Sequence, residues 1–94
     1  MTGKKVLLVD DDESVLEIAR IGLSSLGHVV YPYSDPLAAL EAIGREDVLI
    51  DLIVSDEVMP GLDGISLVKQ ARVLRPGVRV MMIGGSMDPD LLEA

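Results

Sequence analysis

The chain has 94 residues, 49% of them apolar, with 16 acidic against 8 basic side chains and a formal charge of −8. Phosphate backbones and anionic membranes repel that balance, so nucleic-acid or membrane binding by this segment is not expected, and two Tyr without Phe or Trp make no stacking platform. The absence of cysteine excludes disulfides, thiolate metal sites and a cysteine nucleophile, and a single histidine, His28, leaves no His-rich metal centre.

In chain order, Lys5–Val9 is a continuous aliphatic run, as expected of a strand covered on both faces. From Asp12 the period becomes helical, with Val15, Ile18, Ala19, Gly22, Leu23 and Leu26 in step, Asp12 as N-cap and Gly27 as the left-handed stop. His28–Tyr31 reads as a second strand, and Pro32 at its end suits a sheet edge. Asp35-Pro36 opens a helix with a cap followed by proline at the first helical position, and Leu37, Leu40 and Ile43 line one face before Gly44. Leu52–Ser55 is the third strand and 57–63 a loop. Leu67, Val68, Ala71 and Leu74 form the third helix, stopped by Pro76-Gly77. Val78–Ile83 is the fourth strand, Gly84-Gly85-Ser86 a turn, and Asp88-Pro89 the start of a fourth helix at Asp90.

Strands alternating with helices through short loops predict right-handed βαβ crossovers and a parallel sheet. The fourth helix has barely a turn, too little to repay nucleation, and Val80–Ile83 would be an exposed edge. One more strand and helix, about 25 residues with loops, would repair both defects. The expectation is therefore one domain over 1–94, incomplete at its C-terminal end, with a homodimer through the strand-four edge as one way to cover it. No apolar run exceeds four residues, against about 18 for a membrane span and roughly 7–15 for a signal peptide, so a cytoplasmic location is expected.

In open α/β sheets, ligands bind beyond the carboxyl ends of the strands. Asp10 and Asp11 follow strand one and Asp56 follows strand three, so neighbouring strands one and three bring three carboxylates into one crevice. Such a cluster relaxes by taking up protons or by binding a cation. Oxygen ligands without His or Cys point to a hard ion, Mg²⁺ first, and thence to phosphoryl chemistry.

At these residues the sequence resembles the receiver domain of two-component response regulators. The resemblance rests on Val-Leu-Leu-Val-Asp10-Asp11 and, 45 residues after Asp11, on Asp56-Glu-Val-Met59-Pro60-Gly61-Leu-Asp63-Gly64, and runs from Lys4 to about Asp90. It implies a flavodoxin-like, doubly wound parallel sheet of order 2-1-3-4 here, with the fifth strand and helix missing. It further implies Asp56 as phosphoacceptor, Asp11 as direct Mg²⁺ ligand with Asp10 assisting through water, and the Val58 backbone carbonyl as a third protein ligand. The implied donor is the phosphohistidine of a histidine kinase or phosphotransfer protein, and the implied readout an output domain beyond Ala94.

Two departures stand out. The family ends strand four with Ser or Thr, a place that here falls to Gly84; Ser86 substitutes only if the turn folds back, against the plainer reading of a surface serine. The lysine that follows strand five has no counterpart, since Lys4 and Lys5 open strand one and Lys69 sits mid-helix. Asp12 and Glu13 read as cap and solvated first turn, Asp63-Gly64 as turn and cap, Glu57 as a loop residue, His28 as a surface residue, and Met81, Met82 and Met87 as core filling.

A receiver-like module that binds partners without phosphorylation is the alternative that Gly84 favours. A haloacid-dehalogenase-like phosphatase wants D-x-D after a strand, which Asp56-Glu57-Val58 lacks. A dinucleotide site wants G-x-G-x-x-G after strand one, where Asp10-Asp11-Asp12 stands. An enzyme is therefore not expected.

Overall fold

A computed structural model describes residues 3–83. The order is β1 (Lys5–Val9), α1 (Glu13–Ser25), β2 (Val29–Tyr33), α2 (Pro36–Ile43), β3 (Leu52–Asp56), α3 (Gly64–Leu74) and β4 (Arg79–Ile83). The strands form one parallel sheet of order β2-β1-β3-β4, so the chain belongs to the flavodoxin-like architecture and β1 and β3 are neighbours. The turn at Gly84-Gly85-Ser86, Met87, the Asp88-Pro89 start and a helix from Asp90 lie outside the described residues.

The helix starts follow from short polar side chains. Asp12 accepts the backbone N–H groups of Ser14 and Val15 at 3.0 and 3.3 Å, Asp35 that of Leu37 at 3.0 Å and Asp63 that of Ser66 at 2.8 Å. Pro36 follows its cap at the first helical position. After α1 the chain reverses at Gly27, whose φ of 91° is a conformation open mainly to glycine.

Each strand sends alternate side chains to opposite faces. Leu7, Val9 and Ile53 meet Ala39, Ala42, Ile43, Leu67 and Ala71 of α2 and α3 in the larger core cluster. Val6, Leu8 and Val54 point the other way, towards Leu16, Ala19 and Leu23 of α1. Among the described residues this second face is covered by α1 alone, and no residue of α1 is buried.

Several sequence expectations need correction. Of the stripe expected on α1, Ala19 and Leu23 pack, joined by Leu16, whereas Ile18 and Leu26 are 71% and 69% exposed. The helix lies over β1 and β2, at one side of the sheet, so only part of the expected stripe turns inward. Met81 is exposed rather than core, because it occupies the α1 face of β4, where no described helix lies; Met82, on the opposite face, is buried.

Pro32 lies inside β2, opposite Leu8, rather than beyond its end. The Val29 N–H donates to the Lys4 carbonyl and the Tyr33 carbonyl accepts from the Asp10 N–H, so residues 29, 31 and 33 face β1 and Pro32 faces the open rim. By the same parity, the Ile83 carbonyl accepts from the Glu57 N–H, and β4 turns the backbone groups of Val80 and Met82 outward.

Candidate metal and phosphoacceptor site

The three aspartates after β1 have separate fates. Asp12 is spent on capping α1. Asp10 is buried; its N–H donates to the Tyr33 carbonyl at 3.1 Å and its Oδ1 accepts the Asp12 N–H at 2.9 Å. Asp11 is exposed at the rim. Across the sheet, Val9 pairs with Ser55, so Asp56 emerges beside Asp10.

One carboxylate oxygen from each of Asp10, Asp11 and Asp56 lies within 4.8 Å of the others. The three residues that the sequence placed in one crevice are therefore brought together. Asp10, Asp12, Val15, Asp56 and Ile83 line a shallow depression of about 250 Å³ there. Burial is the main cause that raises the Asp10 pKa above the ordinary carboxylate value; the Asp12 N–H opposes it, and the charges of Asp56, Asp11 and Asp12 add to it.

At 4.8 Å and an effective dielectric near 20, two carboxylates repel by about 3 kcal/mol. A divalent cation converts that repulsion into attraction. An all-oxygen donor set, one member buried and one exposed, fits a hard ion that keeps part of its water shell.

The loop after Asp56 is fastened at both ends. The Glu57 N–H donates to the Ile83 carbonyl and its carbonyl accepts the Gly64 N–H, both at 3.0 Å. Met59 is buried in the α2/α3 core and anchors the middle of the loop. The Val58 N–H points at Asp56 Oδ1 at 3.4 Å, while its side chain is 76% exposed. His28 stands at the opposite ends of the strands, its Nδ1 accepting the Lys4 N–H at 3.0 Å. The departure positions Gly84 and Ser86 lie outside the described residues.

Gly64 is more than the turn residue that the sequence suggested. A Cβ there would collide with the Asp56 carbonyl oxygen and the Met82 Cε. Glycine therefore lets the first turn of α3 sit directly against the backbone of Asp56. The Asp63-Gly64 pair carried that signal, but its use as a close approach appears only once α3 is docked on β3. Ser55, also unremarked in sequence, is fully buried and donates its hydroxyl to the Asp56 carbonyl at 3.0 Å.

Comparison with known proteins agrees with this geometry. The chain is 38% identical over 81 residues to the alkaline phosphatase synthesis transcriptional regulatory protein PhoP of Bacillus subtilis, covering 86% of this chain and 33% of that protein. It is 30% identical over 91 residues to the response regulator receiver protein CpdR of Brucella abortus, covering 93% and 74% respectively. It spans only 10% of the transcription factor SKN7 of Chaetomium thermophilum and 8% of the sensor kinase CckA of Brucella abortus, which it also matches. Among solved structures, the receiver domain of the hybrid histidine kinase CckA superposes with a TM-score of 0.78 at 29% identity, covering 95% of this chain and 92% of that one. A receiver domain protein from Clostridium thermocellum gives 0.84 at 25% identity, covering 93% and 69%. With residues 6–94 matching the model of the response regulator receiver domain, the chain belongs to the receiver domain family of two-component signalling systems.

Proposed function

We propose that Asp56 accepts a phosphoryl group from a phosphohistidine on a histidine kinase or phosphotransfer protein, and that the aspartyl phosphate switches an output. The observation that carries this reading is the meeting of the Asp10, Asp11 and Asp56 carboxylates within 4.8 Å at the carboxyl ends of adjacent parallel strands. Asp11 and Asp56, with Asp10 behind them and the Val58 carbonyl, are the proposed holders of Mg²⁺. When bound, Mg²⁺ neutralises charge on the transferring group.

The chain's own part is positioning. An Asp56 carboxylate oxygen attacks phosphorus in line, the phosphorus–nitrogen bond breaks, and its electron pair leaves with the imidazole. The Val58 N–H and the buried Ser55 hydroxyl hold Asp56 from either side, one through its carboxylate and one through its carbonyl. Gly64 fixes the depth at which this backbone sits. The chemistry is confined to phosphorylation and dephosphorylation of the chain itself.

Among the described residues no helix is long and apolar enough to cross a membrane. We place the reaction in the cytoplasm with the output in a further domain. The outward N–H and C=O groups of Val80 and Met82 give a homodimer a strand edge to pair through.

Incubation with acetyl phosphate and Mg²⁺ tests the central reading. One acid-stable, base-labile phosphoryl group should appear, vanish in Asp56→Ala and fall sharply in Asp11→Ala. Labelling that persists in Asp56→Ala refutes the assignment. The absence of a hydroxyl at Gly84 favours a second reading, a receiver fold that binds partners without phosphorylation. No labelling of a folded wild-type chain, with partner binding intact, would select it.

A further inference from the structure

The carboxyl end of β4 reaches Asp56 from both faces of the sheet. Register sets Ser55 opposite Met82 and Asp56 opposite Ile83. On the α1 face, Ile83 lines the shallow depression with Asp10 and Asp56. On the α2/α3 face, Met82 is buried at 4% exposure. Its Cε lies against Gly64, in space that a side chain there would need, and the Asp56 carbonyl borders the same space.

Two small residues make room for that methyl group. Ser55 is fully buried and stands between Val9 of β1 and Met82 of β4 in the register, so little of the layer beneath α3 is filled at its position. Gly64 above it adds no side chain at all. The gap between a serine and a glycine is narrow and irregular, which suits methionine: it is unbranched, turns about three bonds and ends in a slim thioether. Leucine has a similar volume but ends one bond sooner and carries its bulk nearer the strand.

We propose that Met82 is a positioning residue for the phosphoacceptor. Packed where Gly64 meets the Asp56 carbonyl, it fixes how far the Asp56 backbone settles into the core, and so where the Asp56 carboxylate stands beside Asp10 and Asp11. This role rests on the reading of Asp56 as phosphoacceptor. The hydrogen bonds nearby set directions without filling volume: Ser55 Oγ to the Asp56 carbonyl, the Glu57 N–H to the Ile83 carbonyl and the Gly64 N–H to the Glu57 carbonyl, each at 3.0 Å. Without the Met82 methyl, the Asp56 peptide and the first turn of α3 have a void to relax into. Three carboxylate oxygens within 4.8 Å tolerate little of that. Supporting side chains have to hold such a site to within about 0.5 Å, and Mg²⁺ is strict about the geometry of its oxygens.

Met82→Leu keeps the buried volume and loses the reach; Ile43→Val, in the same core cluster but at the last residue of α2, is the control. Amide hydrogen exchange of the metal-free chain reads the hold on the loop. Met82→Leu should speed exchange at Glu57 and Gly64 about tenfold relative to Ile53, and Ile43→Val should leave that ratio unchanged. Mg²⁺ titration and labelling by acetyl phosphate read the chemistry. Met82→Leu should raise the Mg²⁺ dissociation constant and slow labelling at saturating Mg²⁺, each by about tenfold. Combined with Gly64→Ala, which disturbs the same contact, its loss in Mg²⁺ affinity should be smaller than the product of the two separate losses. A folded Met82→Leu chain that matches the wild type in exchange ratio, Mg²⁺ affinity and labelling overturns the proposal, and so do losses with Gly64→Ala that simply multiply. A wild type that takes neither Mg²⁺ nor label strikes the phosphoacceptor reading instead. The exchange ratio then decides alone whether Met82 holds the Asp56 loop: a rise supports it and no change refutes it.

Discussion

The two faces of the sheet are built from the same aliphatic strands and end very differently. On the α2/α3 face, Leu7, Val9, Ile53, Leu67, Ala39 and Ala71 are sealed from water. Among the described residues, the α1 face buries only Val6, Leu8 and Val54, and the helix itself buries nothing completely while leaving Val15, Ile18 and Ile21 exposed. Among the described residues two helices lie on one face and one on the other, and the burial of the strand side chains follows that difference. The closed face carries the loop that presents Asp56, through Met59 and Gly64, so the candidate site rests on the better-packed face of the sheet.

The largest expected effect exploits that contrast. Leu67→Ala, fully buried in α3, should cost about 2–5 kcal/mol in urea denaturation. Ile18→Ala on α1 should stay within about 0.5 kcal/mol. Comparable losses would mean that the α1 face is closed in solution.

The same substitution should also change sign between faces. Gly64→Ala meets backbone and should cost about 1–3 kcal/mol. It should also lower Mg²⁺ affinity in calorimetry, by shifting Asp56. Gly22→Ala in α1 has open space around its Cβ and should stabilise by about 0.5–1 kcal/mol, because glycine in a helix interior is unfavourable. A destabilising Gly22→Ala would break the comparison.

At the rim shared by both faces, Asp10→Asn should raise stability at neutral pH without divalent ions by about 1–2 kcal/mol, less than the full repulsion of a carboxylate pair. The sign follows from its raised folded pKa. Between the ordinary carboxylate value and that raised value the native state holds the proton more tightly, so stability falls as pH rises through the window. Denaturation midpoints against pH should show that fall in the wild type and less of it in Asp10→Asn.

The smallest effect is at Asp63, whose pKa is lowered by the Ser66 N–H. Its contribution is complete above the unfolded pKa and is lost as pH falls through the lowered folded value. Asp63→Asn, which keeps a capping oxygen, should flatten only this acid limb.

Much of this was legible from local chemistry. Asp12, Asp35 and Asp63 mark helix starts because a short carboxylate caps regardless of tertiary context, and the run Val6–Val9 is apolar at every position because two faces claim it. The pairing of Asp10 and Asp11 with Asp56 followed from strand order, which alternation and the D-x-x-M-P-G-x-D-G loop together implied. What the sequence withheld was rotational and positional. The stripe of α1 was read in part: Ala19 and Leu23 pack, but Leu16 joins them in place of Ile18 and Leu26, since the apolar residues offer two overlapping faces and only docking selects one. Met81 and Met82 are chemically identical neighbours, and their fates differ only through which side of β4 lies under a helix. The closeness of Gly64 to Asp56 depends on a distance that no linear pattern records.

The proline in β2 bears on association. A sheet grows into a fibre only when both of its rims can accept a strand, one to add and one to be added to. On the β2 rim Pro32 offers no hydrogen at the position where a neighbour would need one. Strand addition at that rim is thereby discouraged, and head-to-tail growth of the sheet with it.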